Sequence, residues 1–213
     1  MSYFAANYES RFRPLRAGIG IYHPRSGEHG TIGLLARRGE PDGAIYLVTA
    51  YHVFTGRSDG TPAEGWITQP PSSCVEDYVA EFVDGAPPTD LDCAMCRVRD
   101  DVACIADIYA LGRLAPPRQP VVGMKVFKSG LATGVTEGEI SAVSGAEIQI
   151  QAEPGLCADH YVLSEAGDSG ALWVERSTRA PVALHVRGAD SGGIAFASSL
   201  IDVLQRLGVV PLA

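Results

Sequence analysis

The sequence predicts an all-β chain that ends in one α-helix. Short runs, apolar or alternating, recur along its 213 residues with glycine- and proline-bearing turns between them, and a helical period appears only near the C-terminus. Residues 18–22, 31–36, 45–49, 66–68, 78–83 and 93–98 make a first set of strands. The third is the clearest, because Ala44 to Tyr51 is almost unbroken apolar sequence, as expected of a buried strand. A proline-rich joint follows at Leu114-Ala115-Pro116-Pro117-Arg118-Gln119-Pro120, where missing N–H donors end sheet pairing. Segments 125–129, 135–143, 148–151, 157–161, 171–174, 182–186 and 193–197 make a second set. From Ser198 to Gly208 apolar residues return every three or four positions, Ser198 and Ser199 can cap, and Gly208 stops the helix.

The most informative stretch is Gly167-Asp168-Ser169-Gly170. Glycines beside a serine can expose its hydroxyl and aim the N–H groups of Gly167 and Ser169 at one point, where a tetrahedral intermediate would carry its negative charge. The same four residues also suit an ordinary turn. A serine hydroxyl is a weak nucleophile at neutral pH and needs a histidine base, itself oriented by a carboxylate. Of the five histidines, His23, His29 and His160 lie in Pro/Gly/Asp-containing surroundings that read as loops. His52 follows the apolar run directly, and His185 sits inside the run from Val182 to Val186. For the carboxylate, Asp92 immediately precedes the apolar Cys93-Ala94-Met95-Cys96, with Asp90 as the runner-up.

Composition limits the function classes. A chain of this length holds one large or two small domains with a substantial core. Hydrophobic residues make up 46% and charged residues 20%, as in ordinary globular proteins, and no apolar stretch reaches the length of a membrane helix. A net charge of −8 argues against an electrostatic nucleic-acid binder, which needs a basic face. The first eleven residues lack a basic cluster followed by an apolar core, so a cytoplasmic location is expected, and five cysteines, an odd number, agree with a reducing compartment. Cys93 and Cys96 have the gap of a zinc knuckle, but on a strand these positions face opposite ways and no second ligand pair follows. Neither a metal nor another cofactor is expected. Cys93, Cys96 and Cys104 read instead as small buried hydrophobes.

Taken in order, Leu47-Val48-Thr49-Ala50-Tyr51-His52-Val53, Asp92-Cys93-Ala94-Met95-Cys96-Arg97-Val98 and Gly167-Asp168-Ser169-Gly170 resemble the histidine, aspartate and serine motifs of chymotrypsin-like serine peptidases, above all the bacterial branch that has no zymogen. A fourth match, from Val122 to Gly130 and on to Val143, resembles the first hairpin of the second barrel in bacterial members. The resemblance implies two six-stranded antiparallel β-barrels: residues 17–113 carrying His52 and Asp92, and residues 121–197 carrying Ser169. An N-terminal extension (1–16), the linker (114–120) and a C-terminal helix (198–213) complete the division. It also implies hydrolysis of a polypeptide substrate through a Ser169–His52–Asp92 triad, with Gly167 and Ser169 as the oxyanion hole. No Ile-Val-Gly-Gly-like activation site is evident, so Asp168 has no obvious N-terminal ammonium to pair with, and Ala171 stands where many relatives carry another glycine.

The same resemblance puts Leu163-Ser164-Glu165-Ala166 and Ala183 to Gly188 in the walls of the specificity pocket. A tryptic preference would want an aspartate near Leu163, which argues against cleavage after Lys or Arg. Leu184-His185-Val186-Arg187-Gly188 is similar to the histidine-bearing strand of glutamyl endopeptidases and of picornaviral cysteine peptidases, where the histidine, helped by a hydroxyl at the place of Ser164, binds Glu or Gln. His185 bonding a core carbonyl is the alternative. At the level of the whole protein, the rival readings are a catalytically silent binding module on the same fold and an esterase using the same triad. A regulatory protein partner is expected to touch the first eleven residues or the loop from Arg57 to Pro71.

Overall fold

Strand burial follows the sequence pattern. The computed structural model describes residues 8–39, 43–55, 62, 65–153, 161–189 and 192–212. Residues 1–7 and most of 56–64, where a partner was expected, lie outside these, as do residues 157–160 of one expected strand. The N-terminal half forms β1 (Leu15–Ala17), β2 (Gly20–His23), β3 (Glu28–Thr31), β4 (Leu34–Arg38), β5 (Tyr46–Thr49), the single turn α1 (His52–Thr55), β6 (Trp66–Thr68), β7 (Tyr78–Ala86), β8 (Cys93–Val98) and β9 (Cys104–Ile108). The C-terminal half forms β10 (Lys125–Gly130), β11 (Gly134–Ser144), β12 (Glu147–Ala152), β13 (Leu172–Glu175), β14 (Pro181–Gly188), β15 (Ile194–Ser199), α2 (Leu200–Leu207) and β16 (Val209–Pro211).

The second half closes into a six-stranded barrel in the order β10-β11-β12-β15-β14-β13. Its core is Val126, Ile140, Ile148, Ile150, Trp173 and Val182, all fully buried. The expected strand near Tyr161 is not seen at that residue; its phenolic oxygen instead accepts the Glu137 N–H (2.6 Å) and donates to the Glu137 carbonyl (3.0 Å) on β11.

The first half closes less obviously. Its sheet runs β16-β4-β5-β8-β7-β6-β2-β3, but β3 and β4 are one stretch of chain interrupted at Ile32-Gly33. There the Ile32 N–H still bonds Ile19 next to β2 (3.0 Å), while the Gly33 N–H already bonds Val48 on β5 (2.8 Å). One bent strand therefore joins β3, at one end of the sheet, to β4, beside β16 at the other, and wraps the sheet around a core of Ile21, Ile32, Leu47, Val48, Ile67 and Met95. Gly33 is needed at the bend because a Cβ there would strike the Gly170 carbonyl. Cys93 and Cys96 are fully buried on β8, and desolvation pushes the Cys93 thiol up to about 12.

The C-terminus departs from a helix over 198–213. α2 buries Leu200, Val203 and Leu207 and ends at Gly208, whose left-handed backbone (φ 63°) lets its N–H reach the carbonyls of Leu204 and Gln205. Ser199 sits at the cap position without a side-chain cap bond, and Ser198 Oγ donates to the Leu91 carbonyl instead (2.6 Å). After Gly208 the chain returns to the first barrel as β16, antiparallel to β4.

Candidate active site

A cleft of about 540 Å³ is lined by His52 and Asp92 from the first barrel and by Ser164, Glu165, Ala166, Ser169 and Val186 to Ala189 from the second. His52 arrives there because the buried strand β5 delivers the chain to α1, whose first residue it is. Its Nδ1–H donates to Asp92 Oδ2 at 2.7 Å, its backbone N–H to Asp92 Oδ1 at 3.0 Å, and its Nε2 accepts from Ser169 Oγ at 2.8 Å. Asp92 is 3% exposed and has left-handed backbone (φ 46°), uncommon for a residue with a side chain. The carbonyl just before it is held by Ser198 and its own carbonyl by the Tyr51 N–H (3.3 Å), so the carboxylate is presented from a fixed backbone.

The Gly167–Gly170 loop is clamped between the barrels. Thr31 Oγ1 donates to the Gly167 carbonyl (2.8 Å) and accepts the Leu131 N–H (3.0 Å), while the Thr31 N–H bonds the Ser169 carbonyl (2.8 Å). Gly170 approaches so closely that a Cβ would strike Thr49 Oγ1. Gly167 has φ 108°, a conformation open to glycine. Among the described residues, neither the Gly167 nor the Ser169 N–H has a hydrogen-bond acceptor.

Asp168 is paired after all, and with a side chain. Lys128 Nζ lies 2.9 Å from Asp168 Oδ2, both side chains wholly buried. The Thr133 hydroxyl (2.6 Å) and the N–H groups of Ala132 (2.9 Å), Thr133 (3.2 Å) and Glu165 (3.2 Å) complete the set of donors to the carboxylate. Burial alone raises this carboxyl's pKa, but Lys128 and Thr133 outweigh it and hold Asp168 below the usual carboxylate range. Lys128 also bonds Thr133 Oγ1 (2.7 Å) and lies 5.7 Å from the centre of the Trp173 ring. A signal for Lys128 was present in the sequence: it shares the inward face of β10 with Val126, where a lysine is out of place unless an anion awaits it.

Ser164 and His185 are in contact, but only Ser164 lines the cleft. His185 is 1% exposed and stands behind it, its Nε2 2.5 Å from Ser164 Oγ and its Nδ1 3.3 Å from Trp173 Nε1. The histidine thus bonds neither a core carbonyl nor open cleft. Desolvation, reinforced by Lys128, lowers its pKa to about 3. Leu163 is fully buried, and Ala171, the residue that follows the Gly167–Gly170 loop, accepts the His185 N–H on its carbonyl (2.7 Å).

No family model and no curated protein sequence matches the chain. Solved structures do match it. One, described as a glutamic acid specific serine protease that utilizes a histidine triad in substrate binding, superposes with a TM-score of 0.71 at 20% identity, covering 93% of this chain and 100% of that one. Thermobifida fusca protease A gives 0.68 at 19% identity over 93% and 98% of the two chains. Cellulomonas bogoriensis chymotrypsin gives 0.65 at 22% over 92% and 97%. With the closed six-stranded barrel of the second half, the bent sheet of the first and a cleft between them, these likenesses give the chain the double-barrel fold of the bacterial chymotrypsin-like serine proteases.

Proposed function

We propose that this protein is a serine endopeptidase that hydrolyses peptide bonds through an acyl-enzyme on Ser169 and prefers Glu or Gln before the scissile bond. The observation that carries this reading is the unbroken hydrogen-bonded line from Asp92 through His52 to Ser169 at the floor of an open cleft. His52 takes the Ser169 proton as Oγ attacks the carbonyl carbon, and later gives it to the leaving amine. Asp92 holds the tautomer with the proton on Nδ1 and stabilises the imidazolium. The unengaged N–H groups of Gly167 and Ser169 receive the oxyanion. Water then repeats the cycle on the ester. The preference rests on Ser164, a hydroxyl in the cleft wall that meets an acceptor oxygen, and on His185 behind it.

A fluorophosphonate probe and a fluorogenic peptide library test this together. Covalent labelling that disappears in Ser169→Ala, with cleavage after Glu or Gln, is the expected outcome. Wild-type protein that takes no label would make it a binding module, label without peptide cleavage would favour small esters, and cleavage chiefly after Arg or Leu would overturn the preference.

A further inference from the structure

Three residues in line, Trp173, His185 and Ser164, fix the direction of every proton at the back of the cleft. An indole N–H can only donate. His185 Nδ1 must therefore be an acceptor and carry no proton, which leaves the one imidazole proton on Nε2. That proton is donated to Ser164 Oγ, so the Ser164 hydroxyl has to send its own proton elsewhere. Ser164 Oγ has no other partner among the described residues, and Ser164 faces the cleft. The relay delivers one neutral O–H donor to an incoming side chain.

A neutral donor accommodates an amide oxygen and a carboxylate differently. Removing a carboxylate from water without a cation costs several times more than removing an amide. Among the described residues, the two cations near this wall already have other partners. Lys128 is buried against Asp168, and Arg187, though part of the cleft, lays its guanidinium on the Phe196 ring (3.8 Å) and lies 3.7 Å from Glu147. Glu165, exposed at the rim, adds a negative charge that repels a carboxylate and can accept from an amide NH₂.

We propose that the cleft selects glutamine over glutamate before the scissile bond, with Ser164 as the donor and Trp173 as the positioning residue that keeps His185 in its neutral Nε2–H form. The inference rests on the peptidase reading above and narrows it. Among the described residues, the ionisable groups around His185 are Lys128 on β10, Asp168 in the Gly167–Gly170 loop and His52 on α1. Burial disfavours a charge on it most, Lys128 and His52 add to that, and Asp168 opposes them without reversing the balance, so selectivity does not vary across neutral pH.

The experiment compares kcat/KM for two peptides identical except for Gln or Glu before the cut, between about pH 6.5 and 8.5, in wild type, Ser164→Ala and Trp173→Phe. The wild type is expected to favour Gln by at least about tenfold at every pH. Ser164→Ala is expected to lose at least about tenfold on the Gln peptide while its melting temperature and circular dichroism stay near wild type. Trp173→Phe frees Nδ1 to carry a proton and is expected to narrow the Gln-to-Glu ratio. If it does not fold, the wild-type ratio and Ser164→Ala still decide. Glu cleaved as fast as Gln, or a ratio that changes across this range, overturns the inference and leaves the peptidase reading standing. Cleavage of neither peptide overturns the Glu-or-Gln preference beneath it.

Discussion

Lys128 Nζ sits 2.9 Å from Asp168 Oδ2 in a space that admits no solvent, one residue before the Ser169 hydroxyl. The second barrel thereby supplies from its own strand the cation that holds the Gly167–Gly170 loop. Removing only the lysine leaves a buried carboxylate unpaired. Lys128→Met is expected to lose about 3–5 kcal/mol of stability, read by urea unfolding, and most peptidase activity with it. Adding Asp168→Asn removes the stranded charge and is expected to restore part of the stability. A Lys128→Met protein as stable and active as wild type would show that the pair does not anchor the loop.

Asp92→Asn presents an amide where His52 Nδ1 donates, and favours the wrong tautomer. Turnover is expected to fall by about 10⁴, the size of the effect in the chymotrypsin triad, without unfolding the protein. Active-site titration beside circular dichroism checks it; turnover within tenfold of wild type would remove Asp92 from the mechanism.

Thr31→Val keeps the shape of the side chain but removes the hydroxyl that holds the Gly167 carbonyl and the Leu131 N–H. One buried and one half-buried backbone group lose their partner, at about 1–3 kcal/mol. Because Gly167 borders the proposed oxyanion site, kcat is expected to fall while KM changes little. A variant that lost stability alone would make Thr31 a purely structural clamp.

Acid should destabilise the fold in two stages. His23 and His185 are buried, and desolvation lowers them from 6.5 to about 4 and about 3. Their folded values lie below the unfolded one, so the stability they leave intact above pH 6.5 is lost as pH falls toward those values. Asp168, also lowered, adds a further loss below 3.8. Unfolding near pH 5 is expected to take up about two protons at these histidines. A urea midpoint that does not move between about pH 7 and 4 would contradict this.

The sequence was most legible where burial imposes a long pattern. β5, β8 and β14 stand out as apolar runs, and the residues that meet in the cleft could be anticipated because each borders such a run or a glycine turn. β1, β3 and β16 have three or four residues each, too few to show a period, and their pairing with distant strands is a tertiary matter. Barrel closure was illegible for the same reason, since it depends on the chain changing partners at Ile32-Gly33. The order of His185 behind Ser164 needed the position of Trp173, which lies on a neighbouring strand and is linked to them only in space.

β16 adds its three residues to the free side of β4, and the Leu212 N–H extends the contact to the Leu35 carbonyl (2.8 Å). A ribosome makes β4 long before it makes Val209. During synthesis the first barrel therefore carries a bare, pairing-competent edge until β16 emerges, and the nascent chain is open to mispairing throughout that interval. Residues 209–211, made long after β4, finish the half of the molecule whose other strands were made first.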